Sequence, residues 1–131
     1  MQITPGLEGS VEITVGDQHT APSIGSGKVR VLATPVMINL IEAAALKAIE
    51  HLLEPGYQSL GTHLDVHHVA ATPVGMKASA TAVVTKVDGR TVYFKVEAKD
   101  EKDLIGYGTH ERVVVNVAKF DARVQKKLGM N

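Results

Sequence analysis

The chain has 131 residues, of which 44% are hydrophobic and 21% charged, and it contains neither Cys nor Trp. This length predicts one globular domain, residues 1–131, with a core that needs no disulfide or cysteine-bound metal. Lysine plus arginine balance aspartate plus glutamate at 14 each, and the basic residues are scattered, which disfavours nucleic acid as a partner. The absence of Cys also excludes cysteine nucleophiles, CxxC redox centres and iron–sulfur clusters.

The sequence pattern leads us to expect no targeting or membrane segment. Residues 1–15 lack a basic leader followed by an apolar run, so we expect no signal peptide. The most apolar stretch, residues 29–46, is interrupted by Arg30, Pro35 and Glu42 and does not predict a membrane span. We therefore expect a cytoplasmic protein without a membrane partner.

In chain order, the pattern first predicts a strand, a long loop and one long helix. Residues 10–15 alternate apolar and polar side chains, as a half-buried strand does, and residues 16–28 are rich in loop-forming Gly, Pro, Ser and Asp. Apolar residues then recur at helical spacing from Pro35 to Leu53, with Thr34 as the predicted N-cap. Because this helix is apolar around most of its circumference, we expect a sheet to wrap around it.

The rest of the chain predicts mainly strands: residues 59–70, 76–87, 91–99 and 104–117. The last three predict an antiparallel meander, with a hairpin turn at Asp88-Gly89 and a charged loop at residues 100–103. A row of alanines at 78, 80 and 82 would leave room for the long helix to pack on the sheet. After the last strand, the pattern of residues 119–127 predicts a second, short helix on the surface. The order indicates an α+β fold, and its long exposed strands predict self-association through the sheet.

Two polar side chains fall on apolar faces of the predicted elements. Glu42 lies about 120° from the centre of the helix's polar face. It is either an acid–base group with a perturbed pKa or a glutamate at a subunit interface that reaches water. His68 shares the apolar side of its strand with Leu64 and Val66. It is either a general base or a core histidine bonded to a backbone carbonyl.

Thr34 also has two interpretations. It is either a simple N-cap or a hydroxyl that attacks a carbonyl carbon or positions the group that attacks it. The second interpretation arises because a helix N-terminus favours developing negative charge. Thr34 and Glu42 are separated by about 80° around the helix, and we expect both to border one pocket.

Two other sets of residues are candidate ligand sites. His63, Asp65 and His67 share the opposite strand face at a spacing that can bind a divalent metal, but a solvated polar face is the simpler interpretation, so no metal ligand is assigned. Glycines at 106 and 108 predict close approach of a backbone or ligand. Beyond them, Arg112 has two interpretations. It either binds a carboxylate or phosphate, or is an ordinary arginine on the exposed face of the strand.

Four stretches carry a family resemblance. They are Ala33-Thr34 leading into the helix with Glu42, Leu53-Glu54-Pro55-Gly56 with Ser59-Leu60-Gly61-Thr62, residues 68–73 (HVAATP), and residues 106–112 (GYGTHER). In this order and spacing they resemble the hotdog-fold thioesterases, and within them the fluoroacetyl-CoA thioesterase group. The resemblance covers most of the chain.

The resemblance implies an antiparallel sheet wrapped around one central helix, a homodimer, and an acyl-CoA site at the dimer interface; whether dimers pair into tetramers is left open. It implies that Thr34, Glu42 and His68 are catalytic and that Gly61 and Arg112 lie near the substrate. His68 would be the acid–base catalyst, Thr34 the nucleophile or the holder of the attacking water, and Glu42 their orienting partner. Coenzyme A would be substrate and product, and we expect no cofactor.

One departure from the group bears on the substrate. Its fluoroacetyl-specific members resemble one another in aromatic residues just before the catalytic threonine, whereas residues 24–33 here contain none. We therefore expect a general short-chain acyl-CoA thioester. The alternatives are a non-catalytic acyl-CoA binding module and a hotdog hydratase or dehydratase, whose usual Asp and His motif is not found here. A metal-binding module is the third alternative.

Overall fold

The computed structural model describes residues 2–129, in which a five-stranded antiparallel sheet packs on one long helix. The strands are β1 (Glu8–Thr14), β2 (Tyr57–His68), β3 (Lys77–Asp88), β4 (Thr91–Asp100) and β5 (Leu104–Asn116). The helices are α1 (Ala21–Ile24), α2 (Thr34–Ile49) and α3 (Val117–Gln125), with 3-10 turns at Asp17–His19, Glu50–Leu52 and Lys126–Leu128. This confirms the predicted α+β fold.

The sheet order is β1-β3-β4-β5-β2, so β1 and β2 form its edges. The meander β3-β4-β5 is confirmed, but the two loop residues of its first hairpin are Gly89 and Arg90, one position later than predicted, because Asp88 pairs with Thr91. In β2 the pairing with β5 shifts register between Gly61 and His63, which marks an irregularity at Thr62.

Helix α2 lies across β1, β3 and β4, and its buried residues form the core with the inward residues of the sheet. The alanines at 78, 80 and 82 are all buried, as predicted. Gly9 of β1 allows an even closer approach, since a Cβ on it would lie 2.4 Å from the carbonyl oxygen of Ala44. Small residues therefore set how close the helix backbone comes to the sheet.

Two predicted features of the first half of the chain were wrong. The N-cap of α2 is Ala33, whose backbone is extended, while Thr34 is already helical, so its hydroxyl is free to bond elsewhere. The predicted loop at residues 16–28 contains α1 and a 3-10 turn. No helix among residues 2–129 is both long and apolar enough to cross a membrane.

Candidate active site

The N-terminus of α2 and the end of β2 bring together two of the predicted site residues. Thr34 lies in the first turn of the helix, His68 is the last residue of the strand, and Thr34 Oγ1 is 2.8 Å from His68 Nδ1. The second ring nitrogen of His68, Nε2, is buried and has no hydrogen-bond partner within the described part of the chain. A buried polar atom normally has a partner, so this nitrogen is available to a bound molecule.

Burial also sets the charge of His68. Removal from water lowers the pKa of the imidazole, and the backbone of Ala70 raises it only in part. The ring is therefore neutral at pH 7, which is the form that accepts a proton.

A cavity of about 390 Å³ opens beside the Thr34–His68 pair. Its wall is mostly small and aliphatic, and the loop after α1 contributes Ser26 and Lys28. The volume lies within the range of small-molecule sites. The residues that line it are Ala21, Ser26, Gly27, Lys28, Val29, Val31, Leu32, Thr34, His68, Val69, Ala70 and Ala71.

Glu42 belongs to a second cluster, around the side chain of Arg112. Arg112 Nη1 is 3.3 Å from Glu42 Oε2 and 3.2 Å from His110 Nε2, while its Nε and Nη2 donate to the hydroxyl and carbonyl of Ser59 at 2.8 and 3.1 Å. Arg112 is only 6% exposed, so the alternative of an exposed strand arginine was wrong. The reason is strand parity, because Arg112 shares the helix-facing side of β5 with buried His110 and Val114.

Gly61 completes this second cluster. A Cβ at Gly61 would lie 2.4 Å from Glu42 Oε2 and 3.2 Å from His110 Cε1, so any larger residue there would displace the carboxylate of Glu42. Gly61 is also the register partner of Arg112 across the β2–β5 pair. The resemblance therefore indicated three residues, Glu42, Gly61 and Arg112, that are neighbours in the structure.

Within one chain the two clusters are separate. Eight residues of helix advance the axis by about 12 Å between Thr34 and Glu42, and Glu42 does not line the cavity beside Thr34. Gly61 and His68 are seven residues apart on one strand, a distance of about 23 Å. Within a single chain, Thr34 and Glu42 therefore do not border the same cavity.

The polar face of β2 has neighbours of its own. His63 Nδ1 lies 3.4 Å from Glu111 Oε2, and the ring centroid of His67 lies 5.2 Å from that of Tyr107. Over residues 2–129, no three His, Cys, Asp or Glu side chains are grouped so as to hold a metal ion.

Two residues of the second cluster, Ser59 and His110, are not predicted as site residues from the sequence. Both are buried polar residues in contact with Arg112. Parity could have found His110, since it lies two positions before Arg112 on a strand whose alternate residues face the helix. For Ser59 the signal in the sequence is its place in Ser59-Leu60-Gly61-Thr62, one of the stretches that carry the family resemblance.

Comparisons with known proteins agree with this architecture. The model of the Fluoroacetyl-CoA-specific thioesterase family matches residues 15–118. The fluoroacetyl-CoA thioesterase of Streptantibioticus cattleyicolor is 46% identical over 97 residues, which are 74% of this chain and 70% of that protein.

Solved structures of thioesterases are also similar. The fluoroacetyl-CoA thioesterase FlK superposes with a TM-score of 0.91 at 36% identity, over 97% of this chain and 98% of that one. A threonine-to-serine variant of FlK in complex with acetyl-CoA gives a TM-score of 0.90 at 36% identity, over 95% and 98%. A Thermus thermophilus member of the thioesterase superfamily gives 0.91 at 33% identity, over 98% and 96%.

Proposed function

Because this chain belongs to the fluoroacetyl-CoA thioesterase family, we propose that it hydrolyses short-chain acyl-CoA thioesters to the free acid and coenzyme A. One observation carries the proposal: the hydroxyl of Thr34 is bonded to an imidazole whose other nitrogen is buried and unpartnered in the described residues, beside a cavity. Such an arrangement can catalyse thioester hydrolysis, because it places an acid–base group in contact with a hydroxyl that attacks or holds a water.

In the proposed reaction His68 accepts a proton from the attacking oxygen, which belongs to Thr34 or to a water bound by it. A bond forms between that oxygen and the acyl carbon, and negative charge grows on the carbonyl oxygen. The N-terminus of α2 is placed to stabilise this charge with its backbone dipoles. The C–S bond then breaks, and coenzyme A leaves as a thiolate that takes the proton from His68. If Thr34 attacks, a water releases the acyl group by the same steps.

The substrate class follows from the cavity wall. Its lining is mostly small and aliphatic, with no Phe, Tyr or Trp among the described positions that form it. The relative solved with acetyl-CoA indicates that the fold accepts a two-carbon acyl group. We therefore propose short-chain acyl-CoA thioesters without selectivity for a fluorinated group.

We further propose that the enzyme is a homodimer in which Glu42, Gly61 and Arg112 approach the Thr34–His68 pair of the other subunit. Edge strand β2 supports this, because it has a free edge and carries the exposed apolar side chains of Leu60 and Leu64.

The sequence positions also allow it. If β2 pairs antiparallel with its own copy about a two-fold axis between residues 64 and 65, Gly61 of one subunit lies opposite His68 of the partner subunit. In that arrangement Glu42 orients the reacting groups, while Gly61 and Arg112 border the substrate.

The test is thiol release from a series of acyl-CoA thioesters of increasing chain length, for wild type, His68→Ala and the control His67→Ala. His67 is the exposed neighbour of His68 on the other face of β2. We expect hydrolysis of the shortest esters by wild type and His67→Ala, and loss of about 100-fold or more in His68→Ala with unchanged circular dichroism. Binding of coenzyme A esters by wild type without thiol release would instead identify a binding module.

A further inference from the structure

His110 is the most deeply buried titratable side chain of the second cluster, with 0% of its surface exposed. Its Nδ1 lies 2.7 Å from the carbonyl oxygen of His63, and its Nε2 lies 3.2 Å from Arg112 Nη1. One face of the ring stacks on Phe94, with the ring centroids 5.8 Å apart. His110 does not line the cavity beside Thr34, so the proposed reaction does not use it directly.

These contacts determine where the ring carries its proton. A carbonyl oxygen only accepts hydrogen bonds, so Nδ1 must donate to His63. A guanidinium only donates, so Nε2 must carry the lone pair that accepts from Arg112. Burial lowers the pKa of His110 and the charge of Arg112 acts in the same direction, against smaller raising effects of the His63 carbonyl and of the Glu42 and Glu111 carboxylates. His110 is therefore neutral at pH 7 and presents a hydrogen-bond acceptor to Arg112.

The guanidinium of Arg112 is held at three points. Ser59 accepts from Nε and Nη2, and His110 accepts from Nη1. The same Nη1 donates to Glu42 through one contact of 3.3 Å, with no second bond that would fix the carboxylate as a bidentate pair does. The position of Glu42 therefore depends on the orientation of the guanidinium plane. The Glu42 side chain is 37% exposed, so it is the charged group by which the cluster reaches the surface, next to exposed Gly61.

We propose that His110 is a positioning residue for the reaction: its Nε2 holds the guanidinium of Arg112 in the orientation that places the carboxylate of Glu42. This rests on the proposed thioesterase function. Without His110 Nε2 as acceptor, the buried Nη1 amino group of Arg112 loses one of its two hydrogen-bond partners, and the guanidinium can tilt. Glu42 then moves with it, and displacement of a catalytic group by about 1 Å can reduce turnover by about 100-fold.

Two substitutions of His110 test the role of Nε2 as acceptor separately from the other contacts of the side chain. In His110→Gln the terminal amide oxygen reaches the position of Nε2 and can still accept from Arg112. In His110→Asn the amide NH₂ reaches the position of Nδ1 and can still donate to His63, but Arg112 loses its acceptor. Both variants remove the imidazole ring that stacks on Phe94, so each serves as the packing control for the other.

We expect His110→Asn to lower kcat about 10- to 100-fold with little change in KM, and His110→Gln to stay within a few-fold of wild type at a similar Tm. In a Glu42→Gln background, His110→Asn should cause little further loss, because it acts through Glu42. Equal kcat values in the two variants, or losses that add in full to that of Glu42→Gln, would overturn the inference. A wild type that releases no thiol would instead overturn the proposed function.

Discussion

His68 and His110 are the same chemical group in opposite situations. Both are neutral because burial lowers their pKa values. His68 has one ring nitrogen bonded to Thr34 and the other unpartnered within residues 2–129, whereas both ring nitrogens of His110 are bonded to the protein. A proton can therefore move through His68, while the proton of His110 is fixed. The difference lies in their contacts, which residue type alone does not reveal.

The lowered pKa values of these two histidines predict a pH-dependent stability. The unfolded chain binds protons at an imidazole pKa of about 6.5, above the folded values, so it takes up protons first as the pH falls. The contribution is complete above pH 6.5 and is lost as the pH falls from 6.5 through the lower pKa values of the folded state. We expect the free energy of unfolding, measured by urea denaturation, to decrease from pH 7 to pH 5. His110→Gln should flatten this decrease; a slope equal to that of wild type would contradict the assignment.

At the scale of elements, periodicity predicted the strands well but not the irregularity in β2. Alternation correctly placed His68 on the more buried side of β2 with Val66. Counting back by twos from His68 reaches Thr62, which would put Gly61 on the other face. The register shift between Gly61 and His63 reverses this, and Gly61 meets Glu42. An extra residue in a strand leaves little trace in the local pattern, so tertiary contacts were needed to find it.

The contact between β1 and α2 gives a prediction about stability. A Cβ at Gly9 would lie 2.4 Å from the oxygen of Ala44 and 2.6 Å from the nitrogen of Ala48, both backbone atoms. Gly9→Ala should therefore destabilise the fold by about 1–3 kcal/mol through overpacking. Chemical denaturation measures this, with exposed Ser10→Ala as the control on the same strand. Equal stability of the two variants would show that the helix shifts without cost.

At the scale of the whole molecule, one chain holds the predicted site in two parts. The Thr34–His68 pair borders the cavity, and Glu42 with Gly61 lies about two helical turns away. Each part has exposed surface near the free edge of β2. A second copy related by a two-fold axis would supply to each part what it lacks.

Subunit mixing tests this arrangement. His68→Ala and Glu42→Gln homodimers should each be inactive, because every site lacks one group. A mixed dimer contains one site with both native residues, so random exchange should restore about a quarter of the wild-type rate. Thiol release before and after mixing measures this, with exchange verified by mass spectrometry of the intact dimers. No recovery despite exchange would place His68 and Glu42 of each site in the same chain.

The sequence by itself determined the order of elements, the faces of the regular stretches of strand and the unusual placement of Glu42 and His68, because periodicity and burial of apolar faces are local properties. Only the tertiary structure decided which of these residues touch. The contacts of Thr34 with His68 and of Arg112 with Glu42 join positions 34 and 70 residues apart. Such contacts depend on strand order, register and the irregularity in β2, which arise from the packing of the whole sheet on the helix.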